Sequence, residues 1–196
     1  TALHKHYSLF TSLQYMLPMN SLVASILRRL REHHFLREIR PVLETPPITA
    51  RADGLVLFSM IGTRVLLPYL VAIKSLHHHL QRGRVVILDD GTLTDEDRAI
   101  LGVHCVSPRI ISIADVDTGP WPRGGTWERL LTILDLRHDD YVIQLDSDTV
   151  CLGAVPEVRD CVENGRSFTL RGDADAEVLP VEEIARRHGD HPRVHV

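Results

Sequence analysis

The apolar positions follow two rhythms, and the change between them falls at Gly54. Upstream, residues 21–40 read as one helix: Ser21 can cap it, and Leu22, Val23, Ile26, Leu27 and Leu30 share a face. Pro41 is expected to stop it. The segment "ETPPITARADG" then reads as a linker, with two prolines and a closing glycine. Residues 1–50 thus form a helical N-terminal extension and linker ahead of a domain spanning 51–196.

Downstream, short apolar runs alternate with helical periodicity. "LVLFSM" (55–60) suits a strand buried on both faces, and "LLPYLVAIKSLHHHL" a helix beginning near Pro68. "RVVILDDG" (84–91) is a second buried strand that ends in Asp89, Asp90 and Gly91. "TDEDRAIL" opens a helix with Thr94 as N-cap, and its acids Asp95, Glu96 and Asp97 suit the positive end of the helix dipole. "HCVSPRIISI" supplies one or two short strands. In "TWERLLTILDL" the residues Trp127, Leu130, Leu131 and Leu134 follow helical spacing and are expected to face the core. "YVIQL" is the next strand and delivers Asp146. This alternation predicts an α/β fold, a mostly parallel, Rossmann-like sheet with helices on both faces. Ligands of such sheets bind outside the carboxyl ends of the strands, where both acidic pairs fall.

Composition narrows the picture. Hydrophobic residues make up 44% and charged residues 24%, as in ordinary globular chains. A net charge of -4 gives no basic field, so no nucleic-acid partner is expected. Charge is uneven, however: residues 21–40 carry five arginines against two glutamates. Such a helix either presents a solvated polar face while packing on the domain, or makes weak peripheral contact with an anionic membrane. No stretch reads as a membrane span or a signal peptide. Three cysteines without metal-type spacing favour reduced thiols and a cytoplasmic setting, one disulfide plus a free thiol being the other arrangement. Consecutive His77, His78 and His79 point in three directions on a helix and make no joint metal site.

The candidate chemistry lies in "VIQLDSDTVCLG" (142–153). Asp146 and Asp148 are two apart, so an extended backbone would point both to one side. Two close carboxylates repel unless a cation lies between them, and their hard oxygens suit Mg²⁺ or Mn²⁺. The plain alternative is a solvated turn whose Asp and Ser bond local amides.

"RLLTILDLRHDDYVIQLDSDTVCLG" resembles the Asp-x-Asp region of GT-A glycosyltransferases, of the glycogenin and lipopolysaccharide galactosyltransferase type. The resemblance implies a GT-A sheet and a nucleoside diphosphate sugar donor, typically a UDP-sugar. It implies Mn²⁺ or Mg²⁺ held by Asp146 and Asp148, with Arg129 of the preceding helix approaching the donor. "VVILDDGTLTDED" is similar to the acidic second-strand element of that group, where an aspartate reads uracil or ribose. Asp89 is the first match and Asp90 the second. Ser147 completes the donor-binding candidates, and Ser59 or Gly62 would lie near the base. The acceptor, a glycan, a lipid-linked sugar or a protein, is not named by the resemblance. His188, His191 and His195 are either a source of a third metal ligand or surface residues of a polar tail.

Two other readings fit the same letters. "VIQLDSDTV" satisfies the motif of haloacid-dehalogenase-type phosphatases, with Asp146 as nucleophile and Asp148 as acid/base. That motif belongs on a first strand and needs a downstream lysine, whereas no lysine follows Lys74. A nucleotide-sugar-binding module without catalysis is the other.

Overall fold

The computed structural model describes residues 21–169. His188, His191 and His195 lie outside them. The described residues divide into two compact units between Pro156 and Glu157.

The first unit holds α1 (Ser21–Ile39), β1 (Leu55–Ile61), α2 (Leu66–Leu80), β2 (Arg84–Asp89), α3 (Asp95–His104), β3 (Arg109–Ser112), α4 (Thr126–Leu136) and β4 (Tyr141–Gln144). The four strands form one sheet in the order β3-β2-β1-β4, and every pairing is parallel. β1 and β2 are almost wholly buried, as expected of strands covered on both faces. On one face, Val56 and Phe58 of β1 and Val86 and Leu88 of β2 pack with Leu136 of α4. The opposite pleat carries Leu55, Leu57 and Ser59, and α2 packs against β1. This is the α/β architecture that the alternating pattern predicts.

Local signals act largely as expected. Thr94 caps α3 reciprocally: its Oγ1 accepts from Asp97 N at 3.2 Å, and Asp97 Oδ2 accepts from Thr94 N at 2.9 Å. Pro68 sits in the first turn of α2, where its missing N–H leaves no gap in the helical ladder. Among the described residues no helix is long and apolar enough to cross a membrane.

Two expectations hold and gain detail, and two need correction. "HCVSPRIISI" supplies a single strand, because His104 still belongs to α3. Pro41 ends α1 at Ile39 but then starts a 3-10 turn, Arg40–Glu44, since a proline fits a first turn. The buried side of α4 is Glu128, Thr132 and Leu136, whereas Leu130 and Leu134 stay exposed. Glu128 turns inward to bind the amides that start the helix, and this fixes which side faces the sheet. Finally, α1 leaves Ile26, Leu27 and Leu30 exposed instead of burying them.

The second unit begins at the helix α5 (Pro156–Glu163), whose first residue belongs to the first unit. There Asn164 and Arg166 both bond the Asp160 carboxylate.

Candidate functional site at the carboxyl ends of the sheet

β1 has β2 on one side and β4 on the other, so the chain reverses its order of strand addition between β1 and β4. Such a switch point opens a crevice at the carboxyl ends of the strands. Phe58 pairs with Gln144, and continuing that register sets Asp146 level with Met60. Ile61 pairs with Asp89. The two acidic strand ends therefore stand at nearly one height on either side of β1, about 10 Å apart at two strand spacings.

The peptide before Asp146 is held firmly. Leu145 N donates to Phe58 O at 2.9 Å, and Ser59 Oγ donates to Leu145 O at 2.7 Å. Ser59 is 1% exposed and anchors the acidic segment through this bond. Fully buried Tyr69 brings its hydroxyl close to Ser59 and Cys105, though it reaches hydrogen-bond geometry with none of the described residues. Burial pushes the Tyr69 hydroxyl up, and pushes the Cys105 thiol up to about 12. All three cysteines are free thiols.

Past Gln144 the strand gives way to a turn at Ser147 and Asp148, closed by Thr149 Oγ1 donating to Asp146 O at 2.8 Å. The extended backbone expected through Asp148 is therefore absent. A hydroxyl three residues on captures the Asp146 carbonyl and bends the chain. Asp146 and Asp148 are both exposed, and neither joins an ion pair with the described residues. Among the described residues the only side-chain bond at Asp146 is from Gln144 Nε2 at 3.4 Å. Among the described residues no three His, Cys, Asp or Glu side chains cluster. Two unpaired carboxylates still fit Mg²⁺ or Mn²⁺, which commonly take one or two protein carboxylates and fill the remaining positions with water and phosphate.

The acids after β2 divide sharply. Asp89 is 2% exposed, and its Oδ1 accepts from Gly91 N at 2.8 Å and Leu93 N at 3.2 Å. Its Oδ2 pairs with Arg98. That carboxylate is engaged by its own loop and helix. Asp90 is exposed, and its Oδ1 accepts from Thr92 N at 3.0 Å and Thr92 Oγ1 at 2.6 Å, while Oδ2 receives no bond from the described residues. Asp90 lies directly over Gly62, where a Cβ would come within 2.2 Å of its Oδ1 and of Thr92 Oγ1. Thr63 completes the cluster, its hydroxyl meeting Thr92 O and, at 2.6 Å, Asp97 Oδ2. None of this Thr63–Thr92–Asp97 network stands out in the sequence.

α4 starts beside Met60: a Cβ on Gly125 would lie 3.3 Å from the Met60 Cε. Arg129 follows one turn on, its N–H bonded to Gly125 O at 3.1 Å. The half-buried Arg129 side chain joins no ion pair with the described residues. Glu128 accepts from Gly125 N at 2.8 Å and Gly124 N at 3.1 Å. Bonds from backbone amides, its own first and then those of Gly125 and Gly124, hold the Glu128 carboxyl below the usual range. The letters "GTWE", with glutamate three places after a glycine, were a usable signal for this cap. Asp146 and the start of α4 thus share one reference point, Met60, while Asp90 stands across β1. Compared with protein-family models and with curated proteins, the chain matches none.

Proposed function

We propose that the chain is a metal-dependent glycosyltransferase domain of GT-A type, taking a nucleoside diphosphate sugar, most simply a UDP-sugar, as donor. One observation carries the reading: an anchored turn with two unpaired carboxylates stands at the β1/β4 switch point of a parallel sheet. Asp146 and Asp148 hold Mn²⁺ or Mg²⁺ there. When bound, such an ion supplies Lewis-acid stabilisation of charge on diphosphate oxygens. Arg129 adds fixed positive charge near the same crevice, and Ser147 lies between the two acids. Asp90, with a carboxylate oxygen left free, receives the ribose or base in place of Asp89. The acceptor is a hydroxyl compound. That Asp146 follows the fourth strand, not the first, supports this reading over the phosphatase one.

Calorimetry with UDP, ADP and GDP, with and without a chelator, tests it. UDP should bind most tightly and lose affinity on chelation, and Asp148→Asn should remove the metal dependence while the fold persists. Equal affinity for all three nucleotides, indifferent to chelation, overturns the donor site. Turnover of a simple phosphate ester without UDP-sugar binding would favour the phosphatase.

A further inference from the structure

α1 has two apolar sides. Leu36 and Ile39 are half-buried, the helix contacts α2, and on the flank of Leu36 Glu32 Oε1 pairs with Arg64 Nη2 at 3.4 Å. Ile26, Leu27 and Leu30 form the other side and are 49%, 36% and 59% exposed. At about 100° per residue, the second side lies roughly 150° around the helix from the first. The stripe therefore points away from the domain to which the helix is fastened.

Its borders are basic. The same geometry puts Arg29 along one edge of the stripe and Arg31 along the other, with Arg37 in line with the stripe itself, about two turns past Leu30. Arg28, Arg29, Arg31 and Arg37 carry no ion pair with the described residues. Of the two glutamates of the helix, Glu32 pairs with Arg64, and Glu38 lies 3.9 Å from His34. A net positive helix thus stands on a chain whose total charge is -4.

We infer that α1 seats the protein on an anionic phospholipid surface. Ile26, Leu27 and Leu30 enter the boundary between headgroups and acyl chains, and the flanking arginines reach the phosphates. Charge decides for this occupant: arginines on both edges would repel one another across a contact between two copies, whereas an anionic bilayer compensates all of them at once. The sheet's candidate site plays no part in the inference.

Sedimentation of the full chain with vesicles of phosphatidylcholine and phosphatidylglycerol at about three to one tests it, with pure phosphatidylcholine alongside. Binding should appear on the anionic vesicles, be much weaker on the neutral ones and fall with salt. Leu27→Ser with Leu30→Ser should lower partition about tenfold. Arg29→Gln and Arg31→Gln should each lower it about fivefold. The melting temperature should stay unchanged in all of them. No partition at low salt overturns the inference, as does partition that survives the leucine changes. A marked fall in melting temperature, or loss of a vesicle-free dimer in the leucine variant, also overturns it by assigning the stripe to a protein contact.

Discussion

Ser59 and Leu145 are joined by a 2.7 Å hydrogen bond that ties the centre of β1 to the last peptide before Asp146. Ser59→Ala would leave a carbonyl unpaired next to fully buried Tyr69 and cost about 1 to 3 kcal/mol. It should also free the acidic turn, so metal-dependent UDP affinity should fall by more than the loss of stability explains. Ser59→Thr, which keeps the hydroxyl, should restore affinity. Calorimetry and thermal melts on both variants separate the two effects; an Ala variant with lowered melting and intact affinity would reduce Ser59 to a packing residue.

Asp89 ties its own loop to the helix that follows. Asp89→Ala strands the amides of Gly91 and Leu93 and unpairs Arg98, a loss of about 1 to 3 kcal/mol in stability. Nucleotide affinity measured well below the melting transition should change little, whereas Asp90→Ala should show the reverse pattern. A folded Asp89 variant that has lost UDP would return the nucleoside role to that residue.

Gly62→Ala places a Cβ inside the space now held by Asp90 and Thr92. The atoms it meets are side-chain ends, so the backbone can stay and the cost should be near the low end of overpacking, about 1 kcal/mol. The Asp90 carboxylate must move. Weakened UDP binding with a denaturation midpoint lowered by no more than that 1 kcal/mol, about 0.3 to 1 M urea, is the expected result.

Acid should loosen the contact between α3 and the segment before β1. Lys74 Nζ donates to Thr45 O, Thr45 Oγ1 and Pro46 O, and lies 2.9 Å from His104 Nδ1. Burial, and then the Lys74 charge, hold the His104 imidazole below its usual range. Burial does the same to His77, bonded to the Thr49 carbonyl. The unfolded chain therefore takes up these protons first, and stability that is full above about pH 6.5 declines as pH falls towards the folded-state values. His104→Asn keeps an acceptor near Nδ1 and does not titrate. Its melting temperature should fall less steeply than that of the unaltered protein between about pH 7.5 and pH 5.

The periodicities made the sheet legible because buried parallel strands leave continuous apolar runs, as in "LVLFSM" and "VVIL". They were silent on which of two adjacent acids faces inward: Asp89 and Asp90 have the same chemistry, and only the pleat sends one under the loop and the other over Gly62. The stripe Trp127, Leu130, Leu134 misled for a different reason. Glu128, a polar residue, claims the inner side of α4 by capping the Gly124–Gly125 turn, and Trp127 stacks on Trp121 with ring centroids 4.4 Å apart. The anchor of Asp146 is harder still to read, since it depends on the register between strands far apart in sequence.

That distance has a kinetic meaning. Ser59 and Leu145 are 86 positions apart, and β2 and β3 lie within the interval. β1 can pair with β2 through a short local crossover, whereas joining β4 to β1 closes a loop holding half the sheet, with the entropic cost such closures carry. In a refolding experiment, helical signal and the β1–β2 core should precede the arrival of β4. The acidic turn, fastened through that final pairing and, three residues past Asp148, by Cys151 N donating to Ser75 Oγ at 3.0 Å, acquires its place last.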